Sequence, residues 1–327
     1  MSTSTSGSDV LTIVRELVVA DIGVATESLD RDAQLASIDG LDSVTAPYKL
    51  VSRQQYARTS TVHVGGVPIG PDTVTLIAGP CAVETPDQTL ESARMAKDAG
   101  AALLRGGAFK PRTSPYSFQG LGVEGLRILA DVSAETGMPV VTEVLDIADL
   151  DSVSIYADML QVGARNMQNF RLLQAVGDVG KPVLLKRGLT ATYEEWLMAA
   201  EYIAQRGNLD IVLCERGIRG FEPTIRNMLD VSAIPMVHAH SHLPVIVDPS
   251  HAAGRRDLVL PLARAGMAAG ADGVMVDVHP EPERALCDGA QALSGELLDE
   301  LTVAVATIPP LLGRRSAVTA ERVHPTR

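Results

Sequence analysis

A thiol, an imidazole and two carboxylates stand at comparable places in separate stretches of this 327-residue chain. Cys81 closes IAGPC, His251 follows VDPS, Asp277 ends VMVD, and Asp288 lies in the segment just beyond it. The runs before Cys81, His251 and Asp277 are short and apolar, so those side chains belong where a buried strand emerges into a loop. Singly, each has an ordinary reading: a lone cysteine is a small buried hydrophobe, and a lone histidine is a hydrogen-bonded cap. Jointly they form a mixed sulfur, nitrogen and oxygen donor set that suits a divalent transition ion such as Mn, Fe, Co or Zn. Nothing in the four residues chooses among those ions.

A second set is cationic. Arg105, Lys110, Arg112, Arg165, Lys186, Arg187, Arg216 and Arg219 all fall at or just after the ends of similar runs, in a chain whose net charge is −12. Arg offers a planar fork for phosphate or carboxylate and Lys a point charge, so the concentration implies a substrate set with several negative charges. Any one cation could instead pair with a rim acid such as Glu143 or Glu215. Within KPRTSPYSFQGLG, Arg112, Thr113 and Ser114 bring guanidinium, hydroxyl and backbone N–H donors into one turn-rich segment, which makes a phosphate pocket. Cys214, inside an apolar run, reads as core, and Cys287 beside Asp288 is open. His279 is expected to face a loop, and His238, His240 and His242 in MVHAHSH to form a solvated polar loop.

The elements that must position these residues repeat. Eight short apolar runs begin at Thr73, Ala101, Met138, Ala157, Lys181, Asp210, Leu243 and Asp272. Stretches of helical spacing separate most of them, including 88–100, 123–136, 193–206 and 258–270, with Gly100, Gly137 and Gly270 as helix terminators. Eight strands alternating with helices imply a closed (β/α)8 TIM barrel, whose ligand chemistry sits at the carboxyl ends of its strands. VHVGGVPIG alternates about Gly65-Gly66 and reads as a β-hairpin capping the barrel floor. The expected division is a short amino-terminal extension over 1–46, a barrel with its hairpin over 47–312, and a mobile tail over 313–327. The extension carries one amphipathic helix, with Leu11, Val14, Leu17 and Val18 on one face.

Composition narrows the function classes. Hydrophobic residues at 46% and charged residues at 21% fit a soluble globular protein. No apolar run approaches the ~20 residues of a membrane span, and the polar Ser/Thr-rich start does not resemble a secretory signal, so a cytoplasmic location is expected. A net acidic chain would repel a nucleic acid. Three scattered cysteines do not make a disulfide framework.

The segments IAGPC, LLRGGAFKPRTSPYSFQG, QVGARNMQNFRLL, PVLLKRG, LCERGIRGFE, VDPSHAAGRRDLV and DVHPEPERALCDGAQAL occur in this order. Together they resemble the 3-deoxy-D-arabino-heptulosonate 7-phosphate (DAHP) synthases of the type I beta branch, which also holds the 3-deoxy-D-manno-octulosonate 8-phosphate synthases. The likeness runs from about Pro47 to Leu293. It implies a metal-dependent barrel, a homo-oligomer (tetramer or dimer), and the first reaction of the shikimate pathway. In that reaction C3 of phosphoenolpyruvate attacks the aldehyde of erythrose 4-phosphate, water adds at C2, and phosphate leaves with C–O cleavage.

Carried over position by position, the resemblance places phosphoenolpyruvate among Arg105, Lys110, Ala164, Arg165, Lys186 and Arg216. It places the aldose phosphate on Arg112, Thr113 and Ser114, and the metal on Cys81, His251, Asp277 and Asp288. Lys110 is the candidate proton donor, and Glu143 or Asp288 would orient water. Asp277 departs from the glutamate most common in the family, which leaves metal preference open. Two alternatives stand beside this reading. One is an octulosonate synthase using arabinose 5-phosphate, disfavoured by Lys110-Pro111-Arg112-Thr113-Ser114; the other is a weakly active paralogue with a regulatory or binding role. Residues 1–46 are shorter than the regulatory domains of relatives, so weak or absent inhibition by aromatic amino acids is expected.

Overall fold

The computed structural model describes residues 43–316. The amphipathic helix expected around Leu11 to Val18, and with it nearly all of the 1–46 extension, lies outside the described residues. The chain enters through Lys49, Leu50 and Val51, whose backbone N–H groups donate to the Glu201 carboxylate at 2.9, 2.8 and 3.1 Å.

The hairpin pairs β1 (Val62–Val64) with β2 (Val67–Ile69) antiparallel across Gly65 and Gly66. Both glycines have positive φ, 54° and 84°, the left-handed backbone that a tight two-residue hairpin turn requires. Next come β3 (Thr73–Gly79), α1 (Pro86–Asp98), β4 (Leu103–Arg105), α2 (Val123–Thr136), β5 (Val140–Glu143), α3 (Ile147–Tyr156) and β6 (Met159–Val162). The chain continues through α4 (Phe170–Val179), β7 (Val183–Lys186), α5 (Tyr193–Ala204), β8 (Ile211–Glu215), α6 (Ala233–His240), β9 (Val245–Val247), α7 (Pro249–Ala253), α8 (Arg256–Ala268), β10 (Gly273–Asp277), α9 (Gly295–Leu311) and β11 (Arg315–Ser316). Strands β3 to β10 pair in sequence, all parallel, and β10 returns to β3 with Asp277 opposite Gly79. The eight runs read from sequence are therefore the eight staves of a closed barrel.

Local chemistry sets the helix limits. Thr85 caps α1 by accepting from Gln88 N–H at 3.1 Å, with Pro86 in the first turn. A reciprocal Thr192–Glu195 box opens α5. Gly137, at φ 72°, ends α2 in the left-handed conformation. Inside the barrel, Ile77, Leu103, Val141, Met159, Leu184, Val212, Cys214, Ile246 and Met275 pack on Val62, Val64 and Ile69 of the hairpin. Each is essentially fully buried, worth about 1.5–3 kcal/mol per large apolar side chain. The hairpin thus plugs the floor, and Cys214 belongs to the core.

Two expectations need correction. MVHAHSH is no solvated loop: His238 and His240 end helix α6, and His242 is buried, bonded to Ser60 Oγ at 2.7 Å and Leu50 O at 3.1 Å. An apolar helix face, Ile234 and Val237, draws this segment onto the barrel. Of the tail expected over 313–327, residues 317–327 lie outside the described residues, and the part before them is held. Arg314 bonds Asp272 at 3.0 Å, and Arg315–Ser316 pairs with Thr73–Val74. No helix among the described residues is long and apolar enough to cross a membrane.

Candidate active site

Parallel strands deliver their last residues to one rim, and the loops after them build a cavity of about 500 Å³. Arg105 ends β4, Glu143 ends β5, Lys186 ends β7 and Arg216 follows β8. Ala164 and Arg165 lie in a single helical turn after β6, and His251 lies in the short α7 after β9. All of these, with Lys110, Arg112, Thr113, Ser114 and Asp288, line the one cavity. Among the described residues its wall carries eight Lys or Arg side chains against two carboxylates, Glu143 and Asp288. Such an excess of positive charge in a recess selects ligands with several negative charges.

The tight turn after β3 depends on Gly79. Its φ is 154°, and a Cβ there would lie 2.1 Å from the Arg105 carbonyl oxygen, so only glycine lets β3 and β4 close up at this level. The approach lets Arg105 donate to Pro80 O at 2.8 Å and form an ion pair with Asp277, Nη1 to Oδ1 at 2.9 Å. Cys81, two residues on, is thereby fixed at the cavity floor.

Cys81, His251, Asp277 and Asp288 converge there: one donor atom from each lies within 4.8 Å of the others. His251 Nε2 is 3.8 Å from Cys81 Sγ and 3.7 Å from both Asp277 Oδ2 and Asp288 Oδ2. Asp288 holds φ 53°, the one non-glycine among the described residues with positive φ. A carboxylate kept in an unfavourable backbone state, with Arg226 on its other oxygen at 3.0 Å, is aimed by its surroundings. This sulfur, nitrogen and oxygen set fits a borderline divalent ion. Asp277 is the constrained member, since its Oδ2 already accepts from Gln291 Nε2 at 2.6 Å.

Charge is arranged around the cluster. Burial pushes His251 down, but Asp248 and then Asp277 outweigh it and lift the imidazole to about 9. Burial opposes ionisation of Asp288, yet His251 and Arg226 hold it well below the usual carboxylate range. Cys81 and Cys287 lie 3.6 Å apart. That contact and burial push the Cys81 thiol up, whereas the same contact brings Cys287 down to about 7 against its own burial. The two sulfurs face Lys110 and Arg112. Lys110 Nζ donates to Cys81 O at 2.6 Å and Cys81 Sγ at 3.2 Å, and Arg112 Nη1 to Cys287 Sγ at 2.6 Å. Burial works against the Lys110 ammonium, but the two cysteines raise its pKa overall.

Two of the residues singled out from sequence lie elsewhere. Arg187 turns from the cavity into a buried network, 2.9 Å from both Glu215 Oε2 and Asp230 Oδ2 and stacked over Tyr193. His279 is buried, with Nε2 3.7 Å from Glu84 and Nδ1 accepting from Glu281 N–H, so it faces the loop after β10, as expected, and stands outside the cluster. Sequence reasoning missed Asp248, Gln161, Arg226, Asn227 and Gln291. For Asp248 a signal existed, because it stands three residues before His251 at a helix cap; for the others only the folded loops bring them in.

The sequence profile of the DAHP synthetase I family matches residues 49–308. A phospho-2-dehydro-3-deoxyheptonate aldolase of Thermotoga maritima is 52% identical over 284 residues, covering 87% of this chain and 84% of that protein. A 2-dehydro-3-deoxyphosphooctonate aldolase of Magnetococcus marinus is 37% identical over 251 residues, covering 70% and 86%. A crystal structure of the Thermotoga maritima DAHP synthase superposes with a TM-score of 0.80 at 54% identity, over 83% of this chain and 80% of that one. A truncated form of that synthase is covered over 98% of its length, with a TM-score of 0.77. The barrel, the order of its motifs and these matches agree: this chain belongs to the DAHP synthetase I family.

Proposed function

We propose that this protein condenses phosphoenolpyruvate with erythrose 4-phosphate to give DAHP and phosphate, and that it does so with a divalent metal held by Cys81, His251, Asp277 and Asp288. The observation that carries the reading is a strongly cationic cavity wall that meets that four-donor cluster through His251 and Asp288, which belong to both. The greater similarity to the heptonate than to the octonate aldolase favours the four-carbon aldose.

Arg105, Arg165, Lys186 and Arg216, with the backbone at Ala164, hold the phosphate and carboxylate of phosphoenolpyruvate. Their charge-assisted bonds fix its C3 toward the cluster. Arg112, Thr113 and Ser114, at the outer end of the cavity, take the phosphate of the aldose and aim its aldehyde inward. When bound, the ion acts as a Lewis acid on the aldehyde oxygen. Lys110, an ammonium at the cavity floor, gives its proton to the alkoxide oxygen as the new C–C bond forms. Glu143, whose Oε2 accepts from Gln161 Nε2 at 3.2 Å, orients the water that adds at C2. Loss of phosphate by C–O cleavage then leaves the keto sugar acid, with Lys186 and the arginines holding the departing anion.

The test is reconstitution of metal-stripped protein with Mn, Fe, Co or Zn, followed by phosphoenolpyruvate consumption with erythrose 4-phosphate or arabinose 5-phosphate. Turnover with the four-carbon sugar that returns only on adding an ion is expected. Preference for the five-carbon sugar would make it an octulosonate synthase, full activity without an ion would remove the metal, and no product under any ion would point to a non-catalytic paralogue.

A further inference from the structure

Asp248 is fully buried at the end of β9 and has no place among the residues assigned above. Its carboxylate nevertheless touches both halves of the site. Oδ2 lies 2.6 Å from Lys186 Nζ and 2.8 Å from His251 Nδ1, while Oδ1 accepts from the backbone N–H of His251 at 2.9 Å. The backbone is fixed as well, since Asp248 N–H donates to Glu215 O at 2.8 Å and Asp248 O accepts from Ala252 N–H at 3.1 Å.

These contacts dictate two orientations. A neutral imidazole that donates through Nδ1 to a carboxylate presents Nε2 as its free lone pair, so an ion that displaces the Nε2 proton meets the atom centred among Cys81, Asp277 and Asp288. A buried ammonium held from below by a carboxylate presents its remaining protons to the cavity that Lys186 lines. Cys81, Asp277 and Asp288 face the imidazole at Nε2, and at Nδ1 Asp248 alone among the described residues bonds it.

We propose that Asp248 is a positioning residue serving both ligands at once: it sets the tautomer and ring angle of the metal-binding His251 and aims the Lys186 ammonium at phosphoenolpyruvate. The inference rests on the metal and substrate sites proposed above.

The experiment compares native protein with Asp248→Asn, which keeps the helix cap but cannot accept from both Nδ1–H and Nζ–H. Co(II) affinity is read from its thiolate absorption band, and KM is measured separately for each substrate. Asp248→Asn is expected to weaken Co(II) binding about 10–100-fold and to shift the band, as loss of such a partner does elsewhere. It should also raise KM for phosphoenolpyruvate while leaving KM for the aldose near native. Because a lone buried Lys186 could unfold the single variant, Asp248→Asn/Lys186→Met removes that charge, and its Co(II) affinity must still fall. Native Co(II) affinity in either variant overturns the proposal. Failure of the native protein to bind Co(II) at all would instead bring down the metal reading beneath it.

Discussion

Gly107 offers a way to displace Lys110 without altering its chemistry. A Cβ at Gly107 would stand 2.7 Å from Cys81 O, 2.8 Å from Lys110 Cδ and 2.9 Å from Lys110 Nζ. The lysine must yield, and because the carbonyl is backbone beside β3 that backbone must shift as well. Restoring ordinary carbon contacts of about 3.5–4.0 Å moves Cδ by roughly 1 Å, which breaks the bonds from Nζ to Cys81 O and Sγ. A shift of that size in a reacting group costs on the order of 10²-fold in rate, or about 2.7 kcal/mol of barrier. Gly107 is not among the residues with positive φ, so alanine meets no backbone penalty there. Its neighbour supplies the control: a Cβ at Gly106 meets Leu129 Cδ2 at 2.6 Å, on the apolar side. Both variants should lose about 1–3 kcal/mol of stability to overpacking. In steady-state assays of phosphoenolpyruvate consumption, kcat should fall about 100-fold in Gly107→Ala and stay near native in Gly106→Ala. Equal kcat in the two variants, with both folded, would refute a positional role for Lys110.

Lys110→Met removes the proton donor itself and should lower kcat by about 10²–10⁴; near-native turnover at saturating substrates removes the acid role. Arg187→Met strips Glu215 and Asp230 of their shared cation, and with Glu215 fully buried the expected loss is about 3–5 kcal/mol. A melting temperature within error of native would show that network to be dispensable. Burial depresses His242 to about 4, so the unfolded chain takes up a proton below about 6.5 that the native state refuses. Stability should therefore fall as pH drops from about 6.5 to 4, by up to about 3 kcal/mol, and a denaturant series should show a shallower fall in His242→Gln. An identical slope in both proteins would place the sensitivity elsewhere.

What sequence made legible was whatever a period of two or a strand end expresses. Eight apolar runs became eight staves, and residues at their carboxyl ends reached one rim because parallel strands cannot do otherwise. Cys81, His251, Asp277 and Asp288 were found by that logic. Arg187 failed it: alternation along a strand sends neighbours to opposite faces, so Lys186 lines the cavity while Arg187 enters the layer between barrel and helices. His238 and His240 failed for a different reason. Polar residues interleaved with Val and Ala read as a loop until the apolar partners across the helix, Ile234 and Val237, are seen to pack.

Three of the residues missed share a property. Asp248, Gln291 and Arg226 act through another side chain, on His251, Asp277 and Asp288 respectively. Their types are common and loops set the spacing of Gln291 and Arg226, so of the three only Asp248, three residues before His251 at a helix cap, is marked in the linear chain. Yet a four-donor cluster inside a cationic cavity is electrostatically awkward, because Lys110 and Arg105 compete with an incoming ion for Cys81 and Asp277. Three supporting contacts each hold one donor in place, and under the proposed function they would counter that competition. A barrel rim can therefore gather the reacting groups by topology alone, but whether those groups bind an ion or merely neutralise one another is decided by the layer beneath them.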